Sequence, residues 1–214
     1  MFKTDQVDAV NWLVQKFHYS HRPIPSRNIV LAVSFHPKSA MGFDGTDGPA
    51  HAGCLFTLPS ARMWQGKCIE LLRLVRRDDY QGPPLTQLIS FGIRKLKEKK
   101  AADLLVSFAD SSFGHHGGIY QACSWFYGGQ RKRSLDGFQV GKVFMPRRTC
   151  FSTFGTSSLP GLLEKFKGRS VRIKPHYDTG KYLYWKPLNK EGKRTAEQLG
   201  LESLLYLKPK ESNP

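Results

Sequence analysis

Apolar positions along the chain change period several times, and each change marks an element. In "DQVDAVNWLVQKF", residues 5 to 17, Val7, Val10, Trp12, Leu13, Val14 and Phe17 fall on a helix-compatible stripe, with Asp5 and Asp8 near its positive end. The prolines of "HYSHRPIPSRN" stop that helix, because a residue that precedes proline is pushed toward extended backbone. "IVLAVSF", short and β-branched, then reads as a strand. The turn residues of "HPKSAMGFDGTDGPAHAG" predict a surface loop, and "CLFTL" predicts a second strand antiparallel to the first. "KCIELLRLVRRDDY" predicts a third strand, broken by "QGPP". From Leu85 the period turns helical. Leu85, Leu88, Ile89, Ile93 and Leu96 share one face, while Arg94, Lys95, Lys97, Lys99 and Lys100 lie largely on the other.

"ADLLVSFAD" predicts another buried strand, and Gly118 to Phe126 a short helix. Strand, helix and strand in this order imply a parallel pair joined by a right-handed crossover, with a binding site outside the carboxyl ends of the two strands. The loops "RRDDYQGPP" and "DSSFGHHGG" leave those ends. Beyond Gly129 the pattern predicts a helix at "LPGLLEKFKG", strands at "SVRIK" and "KYLYWKPL", and a helix near "KRTAEQLGL". The expected class is α/β (α+β), a mixed central sheet flanked by helices with a basic C-terminal extension. At 214 residues one domain over 1–214 is expected, with a core at 1–130 and a basic, aromatic-rich part at 131–214 that completes the fold.

Charge narrows the function. Lys and Arg number 33 against 17 Asp and Glu, a net +16. Residues 131–214 hold 18 against 7, and residues 1–130 hold 15 against 10. Such a surplus predicts a polyanion partner. Aromatics interleaved with the charges, as in "RIKPHYDTGKYLYWKPLNKEGKR", favour nucleic acid over acidic lipid. No run of about eighteen apolar residues exists and the N-terminus lacks the order of a secretory signal, so a soluble intracellular protein is expected, with no membrane partner. Cys54, Cys68, Cys123 and Cys150 stand far apart without a CxxC pair, which suggests neither a zinc ribbon nor a redox motif and predicts reduced thiols, mostly in the core.

Candidate chemistry gathers at the strand ends. Asp110 sits where a buried strand surfaces and can hold a metal, orient a histidine or accept a proton; capping the following turn is an equal alternative. His115 and His116 are adjacent, so at most one is expected to face a site. Tyr120 can reach back to the loop or pack in the core with a wet tip. His18-Tyr19-Ser20 forms a second polar cluster. Gln81-Gly82-Pro83-Pro84 turns from strand to helix, where amides can bind phosphate, although its two prolines remove two of them.

Two resemblances build on these residues. "IELLRLVRRDDY", "QGPP", the helix and "LLVSFAD" resemble the core of the GNAT acyltransferase fold, with Gln81 to Thr86 matching its pyrophosphate loop; Pro84 and Thr86 stand where small residues belong, which speaks against ordinary acetyl-CoA binding. "FHYS", "IELLRL" and "VSFADSSFGHHGGIYQACSWFYGG", in this order, resemble the Mom family of phage DNA-modification proteins. That resemblance implies a GNAT-like transferase that converts adenine in double-stranded DNA, with the base flipped out, to N6-(carbamoylmethyl)adenine. The product would shield phage DNA from host restriction. The implied location is the cytoplasm of the host bacterium, the gene being carried by a phage or prophage. The resemblance further implies iron(II) and a donor that is acetyl-CoA or another acyl or glycyl compound. On matching positions the catalytic set is His18, Tyr19, Arg73, Asp110 and Tyr120, with His116 (or His115) behind them. His18, Tyr19 and Asp110 become the metal ligands, and Arg73, Gln81, Gly82 and Thr86 the cofactor contacts. Tyr19, Tyr120, Trp125 and Tyr127 are available to stack on a flipped base. A conventional N-acetyltransferase acting on a non-DNA amine and a non-catalytic DNA-binding protein are the alternatives. Oligomeric state, a homodimer included, stays open.

Overall fold

The structure is a computed structural model that describes residues 1–37, 48–59 and 61–206. In chain order its elements begin with β1 (Phe2–Thr4), α1 (Val7–Phe17), β2 (Ile29–Phe35), β3 (Ala52–Thr57), β4 (Ile69–Arg76), α2 (Leu85–Glu98), β5 (Leu104–Ala109), α3 (Gly118–Ala122) and β6 (Phe126–Gln130). They continue with β7 (Leu135–Val140), β8 (Val143–Pro146), α4 (Arg147–Phe154), α5 (Leu159–Lys165), β9 (Ile173–Tyr177), β10 (Tyr182–Pro187) and α6 (Lys190–Gln198). The chain forms two compact units with interleaved boundaries. One comprises residues 1–109, 117–129 and those from Leu183 onward; the other comprises 110–116 and 130–182.

The first unit is built on a seven-stranded sheet in the order β1-β2-β3-β4-β5-β10-β6. β2, β3 and β4 run antiparallel to one another in turn, while β4 and β5 are parallel, joined through α2. This is the expected mixed sheet flanked by helices. α1 buries Val10, Leu13 and Val14 against Ala32, Leu55 and Val75, as the stripe predicted, but Trp12 of that stripe is 40% exposed. α2 buries Leu88, Ile89, Ile93 and Leu96, the predicted face. The predicted loop between β2 and β3 lies in large part, at 38–47, outside the described residues.

Two irregularities shape the sheet around its parallel pair. The parallel ladder of β4 and β5 consists of only Ile69↔Leu105 and Glu70↔Val106, beyond which the strands part. On its other edge β4 slips register, Leu55 pairing Arg73 and Phe56 pairing Leu71, which places a bulge at Leu72. The helix expected from Gly118 to Phe126 stops at Ala122. Ser124 adopts φ 56°, the Trp125 amide donates to the Tyr120 carbonyl, and Phe126 opens β6.

The second unit is a three-stranded antiparallel sheet, β8-β7-β9, packed by α4 and α5 around Phe138, Cys150 and Leu162. Asp178 ties the chain before β7 to the turn after β9. Its carboxylate accepts from the Ser134 amide (2.8 Å), the Ser134 hydroxyl (2.8 Å) and the Gly180 amide (3.0 Å). All four cysteines are free thiols, and burial pushes Cys68 up to about 12. Among the described residues no helix is long and apolar enough to cross a membrane.

Candidate active site at the fork of two parallel strands

Where β4 and β5 part, backbone groups lose their ladder and side chains replace it. Ser107 of β5 is buried, its Oγ 2.7 Å from the Leu71 carbonyl of β4 and 2.8 Å from the Tyr120 hydroxyl. Ser107 Oγ is the donor in both contacts, so its one proton is shared between the Leu71 carbonyl and the Tyr120 oxygen. Burial, opposed by the hydrogen bond from Ser107 and aided by smaller effects of Tyr19, Glu70 and Tyr184, pushes that phenol up to about 12. Tyr120 is therefore a neutral phenol at physiological pH, not a phenolate base.

Its ring belongs to an aromatic stack. Tyr120 lies 5.1 Å from Tyr184 and 5.4 Å from Trp125, and Tyr184 lies 5.4 Å from Tyr127. Gln121 Nε2 donates to the Tyr184 hydroxyl at 3.0 Å. Gly117, at φ +84°, lets the Tyr184 ring rest on its Cα; a Cβ there would stand 2.1 Å from the ring. Tyr120, Trp125 and Tyr127 are thus packed in the core. Of the four aromatics nominated for base stacking, only Tyr19, 40% exposed, presents itself to solvent.

Arg73 adjoins the bulge of β4. One guanidinium nitrogen donates to the Leu72 carbonyl at 3.0 Å, and its Nε is buried without a hydrogen-bond partner among the described residues. Burial lowers its affinity for a proton, opposed by the phenol of Tyr19 and the carboxylate of Glu70 and aided by Arg22. Glu70, at the last rung of the ladder, is buried and was missed in the sequence, where it reads as one polar residue in an apolar strand. His18 comes directly after α1. The Ser20 amide donates to its Nδ1 at 3.1 Å, so the neutral ring carries its proton on Nε2; the ring stacks on Tyr19 at 4.2 Å.

The remaining nominated residues are placed differently. Asp110 falls in the second unit, where Oδ1 accepts from the Ser112 amide (3.0 Å) and Oδ2 lies 3.5 Å from Lys181 Nζ. The carboxylate thus caps the turn that follows β5. His115 is exposed and His116 half-buried, in the same unit. In the first unit, Gly82 serves packing: a Cβ would stand 2.5 Å from Phe35 and 2.6 Å from Tyr80. Pro83 and Pro84 offer no amides, and the Gln87 amide is taken by the Pro84 carbonyl. Thr86 lines a groove of about 450 Å³ along α2, with Phe2, Gln87, Ser90, Phe91, Arg94 and Ala122; Arg73, Gln81 and Gly82 are not among its lining residues.

The family model described as the Mom protein family matches residues 2–208. The chain belongs to this family. Among curated proteins none matches. Solved structures show likenesses at low identity. A putative acetyltransferase of Salmonella typhimurium, with its cofactor acetyl-CoA, is 9% identical with a TM-score of 0.49, covering 89% of this chain and 94% of its own. A Bacillus subtilis acetyltransferase in complex with CoA is 11% identical with a TM-score of 0.49, covering 88% and 98%. The Escherichia coli ribosomal-protein-S18-alanine N-acetyltransferase is 12% identical with a TM-score of 0.46, covering 88% and 95%.

Membership of the Mom family supports DNA modification as the activity. The iron expected from the resemblance does not suit the residues nominated for it. The Ser20 amide occupies His18 Nδ1 and leaves Nε2 as a donor, and the Asp110 oxygens face an amide and an ammonium. Among the described residues no three of His, Cys, Asp and Glu gather as a metal site.

Proposed function

We propose that the protein modifies adenine in DNA at the exocyclic N6 amine, giving N6-(carbamoylmethyl)adenine and protecting phage DNA from restriction. The family match over residues 2–208 carries this reading. The polar fork of the first unit supports it. Arg73 supplies a buried, unpartnered N–H, and leaving such a donor unmade costs about 1–3 kcal/mol, which a carbonyl or anionic group of the donor compound would recover. Tyr120, held protonated by burial and oriented by Ser107, fixes the floor of the fork. Tyr19 offers the exposed ring against which an extruded adenine can stack.

In the product the new bond joins N6 to a methylene carbon; the bond from that carbon to the donor's leaving group breaks, the leaving group departs with the electron pair, and one N6–H is lost as a proton. Transfer of a glycyl group through its carbonyl would give an isomer of the same formula, so mass alone does not identify the product. The test is expression in bacteria, digestion of the DNA to nucleosides, and comparison of the modified deoxyadenosine with synthetic N6-carbamoylmethyl and N6-glycyl standards. Co-elution with the first is the expected result. Unmodified deoxyadenosine in cells that hold folded protein would overturn the reading, and salt-sensitive DNA binding by protein purified from those cells would leave the non-catalytic alternative.

A further inference from the structure

The second unit holds twelve Lys and Arg against four Asp and Glu, so half of the net +16 lies on 60 of the 214 residues. Its helices α4 and α5 cover one face of the three-stranded sheet, burying Phe138, whose neighbours across the ladder are Met145 and Pro175. Side chains alternate along strands, so the next rungs point to the opposite face. Those rungs are Phe144–Gln139–Lys174 and Pro146–Gly137–His176. Phe144 and His176 sit on the two outer strands, and their rings meet edge to face at 5.0 Å. Both rings are exposed, Phe144 by 36%. Lys174 flanks the pair, and Lys142 and Arg172 are exposed at one end of the sheet.

An exposed aromatic pair on an open, cationic sheet face has the chemistry of a platform for unpaired bases: the rings stack, and the cations track phosphates. A neutral or basic partner would leave the surplus of eight charges uncompensated. We propose that this face docks a single-stranded stretch of DNA, one base stacked on Phe144 with His176 at its edge and the phosphates passing Lys174 toward Lys142 and Arg172. The proposal rests on the reading of DNA as the substrate and adds which surface holds it and in what form.

The test uses the full chain and fluorescence anisotropy with a labelled oligothymidine of about 20 nucleotides, longer than the roughly 4–16 that one stacking module occupies, and with a duplex of equal length. Phe144→Ala is expected to weaken single-strand binding about 5- to 150-fold, the range found for one stacked base, and to change duplex binding less. Phe144→Leu keeps an apolar contact but no π face and should lose as much, which separates stacking from damage to the fold. Lys174→Gln should lower the salt dependence of binding by about one counterion. Phe151→Ala, at a 62% exposed aromatic on the covering helix α4, should bind like the parent. Parental single-strand affinity in Phe144→Ala, or an equal loss in Phe151→Ala, overturns the surface while leaving the DNA reading intact. A parent protein that binds neither form of DNA overturns both.

Discussion

Gly117→Ala should damage the fork from a distance. An added Cβ would stand 2.1 Å from Tyr184 Cε2 and 2.4 Å from Cζ, and Tyr184 is fully buried, so the ring has nowhere to retreat. Overpacking of this kind costs about 1–3 kcal/mol. The left-handed backbone at φ +84° adds about 1–2 kcal/mol for any residue with a Cβ. The total, about 2–5 kcal/mol, is a large share of the roughly 5–15 kcal/mol that holds a typical domain. Gly66→Ala is the matched control: it lies in the same unit at φ +72° with nothing within 4 Å, so it carries the backbone cost alone. Urea unfolding followed by circular dichroism should therefore separate the two variants by about 1–3 kcal/mol, or roughly 2–4 °C in Tm for each kcal/mol. Modified deoxyadenosine should fall in Gly117→Ala beyond what lost stability explains, because Tyr184 packs directly on Tyr120. Equal destabilisation of the two variants would show that the contact with Tyr184 does not constrain residue 117.

Three other variants probe the site and its support. Arg73→Met removes an unpartnered buried Nε, so stability should stay within about 1 kcal/mol of the parent, while modified deoxyadenosine drops about 100-fold or more if Arg73 steadies charge on the donor; several kcal/mol lost with full activity would refute this. Asp110→Asn should retain activity and cost about 1 kcal/mol in unfolding, because its carboxylate caps a turn and pairs with Lys181; loss of all activity in a folded variant would return Asp110 to the catalytic set. Burial alone would raise the Asp178 carboxyl, but hydrogen bonds from Ser134 and Gly180, with Lys181, outweigh it and hold it below the ordinary 3.8. Its stabilising effect is therefore present above about pH 4 and lost as pH falls through the lowered value, so Asp178→Ala should cost about 1.5–3 kcal/mol at neutral pH and progressively less in acid, read as unfolding midpoints.

Periodicity read the first unit well because its elements are long enough to show a pattern. α1, β2, β3, β4, α2 and β5 all fall where the apolar spacing placed them, and the parallel pairing of β4 with β5 came from element order alone. The second unit was harder. β8 is four residues long, and β9 carries Lys, Pro and His at its exposed positions, so neither shows a clear two-residue period. α3 was read too long because the positive φ of Ser124 leaves no trace in residue type.

The motif residues divide in the same way. Tyr120, Arg73 and Tyr19 were nominated from sequence, and the fork gives them a shared electrostatic setting. Glu70 and Ser107 went unnominated, since an isolated polar residue in a strand gains meaning only when the ladder beside it ends. The bulge at Leu72 is invisible in sequence for the same reason, being a mismatch between two strands.

By itself, the order of residues determined the family, the cationic character, and the strand–helix–strand core, because charge and hydrophobic period are properties of neighbouring positions. Tertiary structure alone decided that Asp110 pairs with Lys181, that Gly82 and Gly117 are glycines for packing, and that half the net charge gathers on one small unit. The first two depend on atoms that only folding brings near: Lys181 for Asp110, Phe35 for Gly82, and Tyr184 for Gly117.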